Sequence, residues 1–138
     1  MNGSQIHYRR IELMSKVHRF TGDLSRHDFS WDGVPPLEIN TDIVHGVIKH
    51  VLVGPEDEAP NFIIRYFNVP VGEKTFFDQH PHEHGIVILH GKAKVQINDD
   101  FYELDPLSSI FISGMDIHQL TNIGAEPLGF ICVIQRQE

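Results

Sequence analysis

The sequence predicts an all-β domain, an antiparallel sandwich or barrel, and three observations predict it. From Asp42 onward at least eight short segments rich in Val, Ile, Phe and Tyr follow one another. Turn-forming residues separate them at regular intervals, and within several of them apolar and polar residues alternate, as they do on a half-buried strand. At 138 residues the chain is one domain, long enough to bury about two thirds of its unfolded surface without disulfides or structural staples.

Taken in order, residues 1–30 are the most polar part. Ile6, Ile11, Leu13, Met14, Val17 and Phe20 have a partial helical spacing, which suggests a short helix or an arm lying on a partner subunit. Trp31-Asp32-Gly33-Val34-Pro35-Pro36 is turn chemistry, because each proline removes a donor and pushes the residue before it to an extended conformation. Trp31 is expected over the mouth of a barrel, in a dimer seam or as a surface anchor. Residues 1–40 therefore form an N-terminal extension or dimerisation arm, and residues 41–138 the β-barrel domain. The first strand runs from Ile43 to Val53, with Val47, Lys49 and Val51 on one face and Ile48, His50 and Leu52 on the other. An acidic turn at 54–60 leads to Phe62–Val69. Gly85–Leu89 is a buried strand ending at the His90-Gly91 turn, where His90 is expected to be solvated. Ala93–Ile97 and a hairpin at Asn98-Asp99-Asp100 follow, then Ile110–Ile112, Ile117–Leu120 and a last strand over Leu128–Ile134.

The formal charge of −8, from 11 basic and 19 acidic residues, argues against a nucleic-acid partner, since phosphate backbones are bound by clustered Lys and Arg. No window approaches about 18 uninterrupted apolar residues, so no membrane helix is expected, and the start lacks a secretory apolar stretch, which makes a cytoplasmic location the expectation. Cys132 is the only cysteine, which leaves no internal disulfide.

Chemistry concentrates in Gly72–Gly91. Asp78, His80, His82 and His84 occupy alternate positions just before an apolar run. Neutral imidazole nitrogens bind borderline divalent ions such as Zn, Fe, Ni and Cu, and a carboxylate extends the choice to Mn. A straight strand would spread Asp78 to His84 over about 20 Å, too far for one ion. Pro81 is the point where the chain leaves regular pairing and bends round a centre.

Together with Ile112–Asn122, this segment resembles the two-motif pattern of the cupin superfamily. In that pattern a His-x-His pair and a glutamate lie between two glycines, and a second motif supplies a histidine followed four residues later by an asparagine. Counting back from Gly91 places the pair on Asp78 and His80 and the glutamate on His84, while His118 and Asn122 match the second motif. The turn before His118 is one residue longer than the pattern, and Ile112 stands where proline is common. The alternative register, with His80 and His82 as the pair, would put Ile86 at the glutamate position, where it can ligate nothing. The resemblance implies a jelly-roll β-barrel holding one divalent transition metal (Mn, Fe, Ni or Zn) on Asp78, His80, His84 and His118. Asp78 either binds the ion directly or orients an imidazole.

It further implies a small metal-dependent enzyme acting on an oxygenated metabolite in dioxygenase, isomerase or lyase fashion, or else a non-catalytic module that binds a metal or a small molecule. The fold alone does not choose among these. His82 is read as facing solvent or substrate, and Arg65 and Tyr66 as a cation and a hydroxyl for an anionic substrate, one of the two facing inward. Cys132, on the last strand with Phe130 and Ile134, is either a buried apolar filler or a catalytic thiol facing the metal. The last strand, Trp31–Pro35 and His45-Gly46-Val47 look similar to a subset of small cupins that includes a manganese-dependent sulfurylase of a thio-sugar phosphate, in which a cysteine is catalytic. A homodimer is the expected assembly, because open barrel edges tend to pair.

Overall fold

The computed structural model describes residues 14–137. Among the described residues nine strands form two antiparallel sheets: β1 (Leu37–Ile39), β2 (Val47–Val53), β3 (Phe62–Val69), β4 (His84–His90), β5 (Ala93–Ile97), β6 (Asp100–Leu104), β7 (Ser109–Ile112), β8 (His118–Asn122) and β9 (Leu128–Gln135). The larger sheet has the order β1-β2-β3-β9-β4-β7 and the smaller β6-β5-β8. The segment before β4 extends the smaller sheet, since Lys74 and Asp78 make bridges to Thr121 and His118 of β8.

Alternation in the sequence sets which side of each strand is buried. Along β4, His84, Ile86 and Ile88 point inward while Gly85, Val87 and Leu89 are exposed, and along β9 Phe130, Cys132 and Ile134 point inward. They meet Val95 and Leu120 of the smaller sheet in one core cluster. Burying one such aliphatic side chain stabilises the fold by about 1.5–3 kcal/mol. Asn98 adopts φ 52°, the left-handed conformation that a two-residue hairpin demands and asparagine tolerates.

The extension packs against its own barrel. Residues 20–31 double back, with Thr21 N–H donating to Ser30 O and Phe20 bridging to Trp31. Phe29 stacks on Tyr66 and on His90 at centroid distances of 5.0 and 4.5 Å, and Trp31 meets His50 edge-on at 5.3 Å. Trp31 thus anchors the extension on the outer face of the large sheet, against His50 and Tyr66. The start of the extension is tied to the β2–β3 turn by His18 Nε2 and Asp57 Oδ1 at 2.6 Å and by Lys16 Nζ donating to Glu56 O.

Three expectations need correction. Met14 to Arg19 form no helix, and a 3₁₀ turn at Leu24–Arg26 is the extension's only helical element among the described residues; Ile6, Ile11 and Leu13 lie outside them. The strand expected from Ile43 begins at Val47, because Gly46 takes a positive φ of 67° that breaks the extended run, and Leu37–Ile39 pairs with β2 as an unforeseen edge strand. His90 is half-buried, with Nε2 2.6 Å from the Tyr66 hydroxyl and Nδ1 donating to Pro127 O.

Candidate metal centre

Backbone contacts bring the two motifs together before any side chain is considered. Asp78 and His118 exchange both of their backbone hydrogen bonds, at 3.0 and 2.9 Å. Next to them, Met115 N–H donates to His80 O, and the Gln79 amide donates to Met115 O. Gly114 lies so close to Pro81 that a Cβ there would fall on the Pro81 carbonyl oxygen. The chain bends at Pro81 and His82 and re-enters regular pairing at His84, the first residue of β4.

His80, His84 and His118 converge as a result. Their ring centroids lie 4.6, 4.9 and 4.8 Å apart, and their ligating nitrogens are all within 4.8 Å of one another. His84 and His118 are buried, at 8% and 7% exposure, and His80 is half-buried. His80 Nδ1–H donates to His82 O and His118 Nδ1–H to Asp116 O, which turns the lone pair on Nε2 of each toward the centre. Burial, reinforced by repulsion from His118, His80 and Arg65, pushes the His84 pKa down to about 3, so that this imidazole is a neutral base at any physiological pH.

These residues fit a divalent ion. Two nitrogens about 2.1 Å from one ion and at a right angle to each other are about 3.0 Å apart, and the Nε2 atoms of His80 and His84 are 2.8 Å apart. Three imidazoles with a carboxylate at hand suit Mn, Fe, Ni or Zn. Asp78 Oδ2 lies 3.8 Å from His80 Nε2, at the rim of the cluster, and its Oδ1 accepts from Gln79 N–H. His82 lies outside the three-His group and stacks face to face on His80, at 3.6 Å and 5°.

Cys132 adjoins His84 from the last strand. Its Sγ is 3.0 Å from His84 Nδ1 and accepts from Arg65 Nη2 at 3.1 Å. Burial pushes the thiol's pKa up, against the pull of Arg65. As arranged, the groups form a chain of hydrogen bonds with one consistent direction: guanidinium to sulfur, thiol to His84 Nδ1, His84 Nε2–H to His80 Nε2. An ion taking the Nε2 lone pairs of both rings requires the His84 proton to sit on Nδ1, and the sulfur then becomes its acceptor.

His84, His118, Cys132 and Asp78 open onto a cavity of about 200 Å³, also lined by Lys49, Arg65, Thr75 and six apolar side chains. Of the pair Arg65 and Tyr66, Arg65 faces this cavity. Tyr66 points to the opposite side of the sheet, fully buried beneath Phe29 and Trp31, and its hydroxyl is engaged by His90 and Asn68; it is no part of the cavity wall. Asn122 is buried and structural, its amide donating to Val69 O and Glu126 O. Lys49 was not singled out from the sequence: alternation placed it on one face with Val47 and Val51, but both faces of that strand carry apolar residues and the pattern did not say which is buried. No helix among the described residues is long and apolar enough to cross a membrane.

Residues 53–137, more than half of the chain, match the model of the mannose-6-phosphate isomerase C-terminal family. Over 74 residues the chain is 30% identical to the 1-methylthio-D-xylulose 5-phosphate methylsulfurylase of Rhodospirillum rubrum, a match that spans 54% of this chain and 47% of that protein, about half its length. A cupin 2 domain-containing protein from Halorhodospira halophila is 30% identical with a TM-score of 0.63, covering 89% of this chain and 82% of that one. Rru_A2000 from Rhodospirillum rubrum, a cupin-2 domain, has a TM-score of 0.74 at 24% identity, covering 87% and 78%, and shows the likeness of fold alone. With two antiparallel sheets enclosing a three-histidine cluster and a family match across the barrel, the chain belongs to the mannose-6-phosphate isomerase C-terminal family of the cupin superfamily.

Proposed function

We propose that this protein is a divalent-metal-dependent enzyme acting on a small oxygenated metabolite bound in the cavity beside the three histidines. The observation that carries the reading is the convergence of His80, His84 and His118, two of which, His84 and His118, line a cavity that also presents a thiol and two cationic side chains. A divalent ion bound there would supply Lewis acidity toward a carbonyl or hydroxyl oxygen of the metabolite. His80, His84 and His118 would hold it, with Asp78 as a fourth donor or as an acceptor that orients the His80 ring. His82, stacked on His80, fixes that ring's plane. With an ion on Nε2, Cys132 Sγ would accept from His84 Nδ1–H and so hold that ring in place, and its thiol can also give or take a proton at the cavity wall. The similarity to a methylsulfurylase favours including carbon–sulfur chemistry among the reactions tested. A homodimer is the proposed assembly, supported by the exposed Phe111, Val133 and Val87 on the outer face of the large sheet.

Elemental analysis of untagged protein tests the reading. About one ion per chain is expected, and a His80→Ala, His118→Ala double variant should lose it. Wild type without metal, or a double variant that keeps it, refutes the proposal. Azide or nitric oxide perturbing the spectrum of cobalt- or iron-substituted protein would show a coordination position open to substrate. A silent spectrum would favour a non-catalytic binding module.

A further inference from the structure

Lys49 and Arg65 are the two strongly basic side chains in the cavity wall. In the β2–β3 register Lys49 pairs with Phe67 and Arg65 with Val51, so the two cations sit diagonally on the inner face, a spacing of about 7–8 Å. Among the described residues neither has a carboxylate within salt-bridge distance. Arg65 directs one donor to the Cys132 sulfur, a weak acceptor, rests over the Phe67 ring at 5.0 Å, and has its Nε buried without a partner. Both side chains are half-buried, and burial together with the Arg65 charge lowers the Lys49 pKa. Like charges brought together away from water cost free energy unless something of opposite sign joins them.

The remaining wall is Ile39, Phe67, Phe76, Ile86, Leu120 and Phe130, with Asp78 and the histidines at one side. Its single hydroxyl, on Thr75, is already engaged with Leu120 N–H and Phe76 O. A polyhydroxylated ligand would leave its hydroxyls facing hydrocarbon without partners, at a cost for each.

We propose that the ligand is a small organic anion whose carboxylate or phosphate is held between Lys49 and Arg65 and whose hydrocarbon body lies against Phe67, Phe76 and Phe130. This names the substrate class for the metal-dependent reading above and rests on it. The headgroup binds at the two cations, and because Arg65 Nη2 is 3.1 Å from Cys132 Sγ it sits beside His84, while the body lies along the apolar wall. The volume of about 200 Å³ suits a body somewhat larger than a single aromatic ring. Lys49 and Arg65 bind and orient the anion next to the histidine cluster.

Calorimetric titration of the metal-loaded protein with pentanoate, pentyl phosphate, 1-pentanol and ribose 5-phosphate tests this, with metal content measured on the same samples. At least one of the two pentyl anions should bind about tenfold or more tighter than pentanol and than ribose 5-phosphate, and the tighter anion identifies the headgroup. Lys49→Met should weaken that anion about tenfold, and Lys49→Arg should restore it to within about threefold. The proposal falls if pentanol binds as tightly as the anions, if Lys49→Met changes affinity by less than about twofold, if ribose 5-phosphate outcompetes pentyl phosphate, or if none of the four binds. Should metal be absent while the Lys49-dependent binding persists, the metal-dependent reading fails and the anion pocket stands.

Discussion

Replacing Cys132 tests how the last strand supports the metal centre. Cys132 is 2% exposed, and its sulfur lies 3.0 Å from His84 Nδ1. When His84 ligates through Nε2, its Nδ1–H needs an acceptor, and among the described residues Cys132 Sγ is its hydrogen-bond partner. Cys132→Ala removes the acceptor and leaves a buried N–H unpaired, at a cost of about 1–3 kcal/mol. Deleting an outer partner of a ligating histidine typically weakens metal binding about 10–100-fold, equivalent to about 1.4–2.7 kcal/mol, and the two ranges agree. Cys132→Ser keeps an acceptor in place and should bind metal within about threefold of wild type. The assay is competitive metal titration against a chromogenic chelator at fixed pH. An Ala variant within about twofold of wild type, or a Ser variant as weak as Ala, refutes the hydrogen-bond argument. A Ser variant that binds metal normally but loses turnover assigns the thiol a chemical step of its own.

Tyr66→Phe should cost about 1–3 kcal/mol in denaturant unfolding, because it strips the buried His90 Nε2 of its 2.6 Å partner while leaving the cavity untouched; metal content should not change. Gly114→Ala should push the Pro81 carbonyl away, displace His80 and lower metal affinity more than it lowers stability, as read by elemental analysis alongside the unfolding curve. The His18–Asp57 tie should depend on pH. Hydrogen bonding to Asp57 raises the His18 pKa; burial pushes Asp57 up, but hydrogen bonds from His18 and Gly54 N–H outweigh it and leave Asp57 lowered. The His18 contribution is complete below its unfolded pKa of about 6.5 and fades as pH rises through the raised value, while that of Asp57 is complete above about 3.9 and fades as pH falls. The stability difference between wild type and Asp57→Asn should therefore peak between about pH 4 and 6.5, staying near or below about 1 kcal/mol for a half-buried pair at the surface. A difference that grows toward pH 9 would contradict this.

The strands were legible because alternation and turn residues are local signals: Phe62–Val69 and Ala93–Ile97 appear where the pattern placed them. The histidine cluster was legible because three imidazoles at alternate positions are rare without a reason, and the resemblance to the cupin pattern, counted back from Gly91, pointed to His80 and His84 as ligands and away from His82. Other features depend on contacts distant in sequence. Whether Arg65 or Tyr66 faces inward follows from the registry of β3 with β9, which pairs Arg65 with Cys132. The burial of His90 follows from Phe29, 61 positions earlier, folding over it. Nothing near Gly46 announced that the strand would start there and not at Ile43, since glycine tolerates both conformations.

The reciprocal pair of amide bonds between Asp78 and His118 has a consequence for metal choice. The loop carrying the first donors and the strand carrying the last are docked by main-chain contacts that involve no imidazole, so ion uptake need not organise the polypeptide. Little binding energy is then spent on ordering, and unlike a zinc finger the barrel should keep its shape when chelated. Discrimination among ions falls to ligand geometry and cellular supply, and a single substitution at the rim, such as Asp78→His, becomes a plausible route to a different metal on the same scaffold.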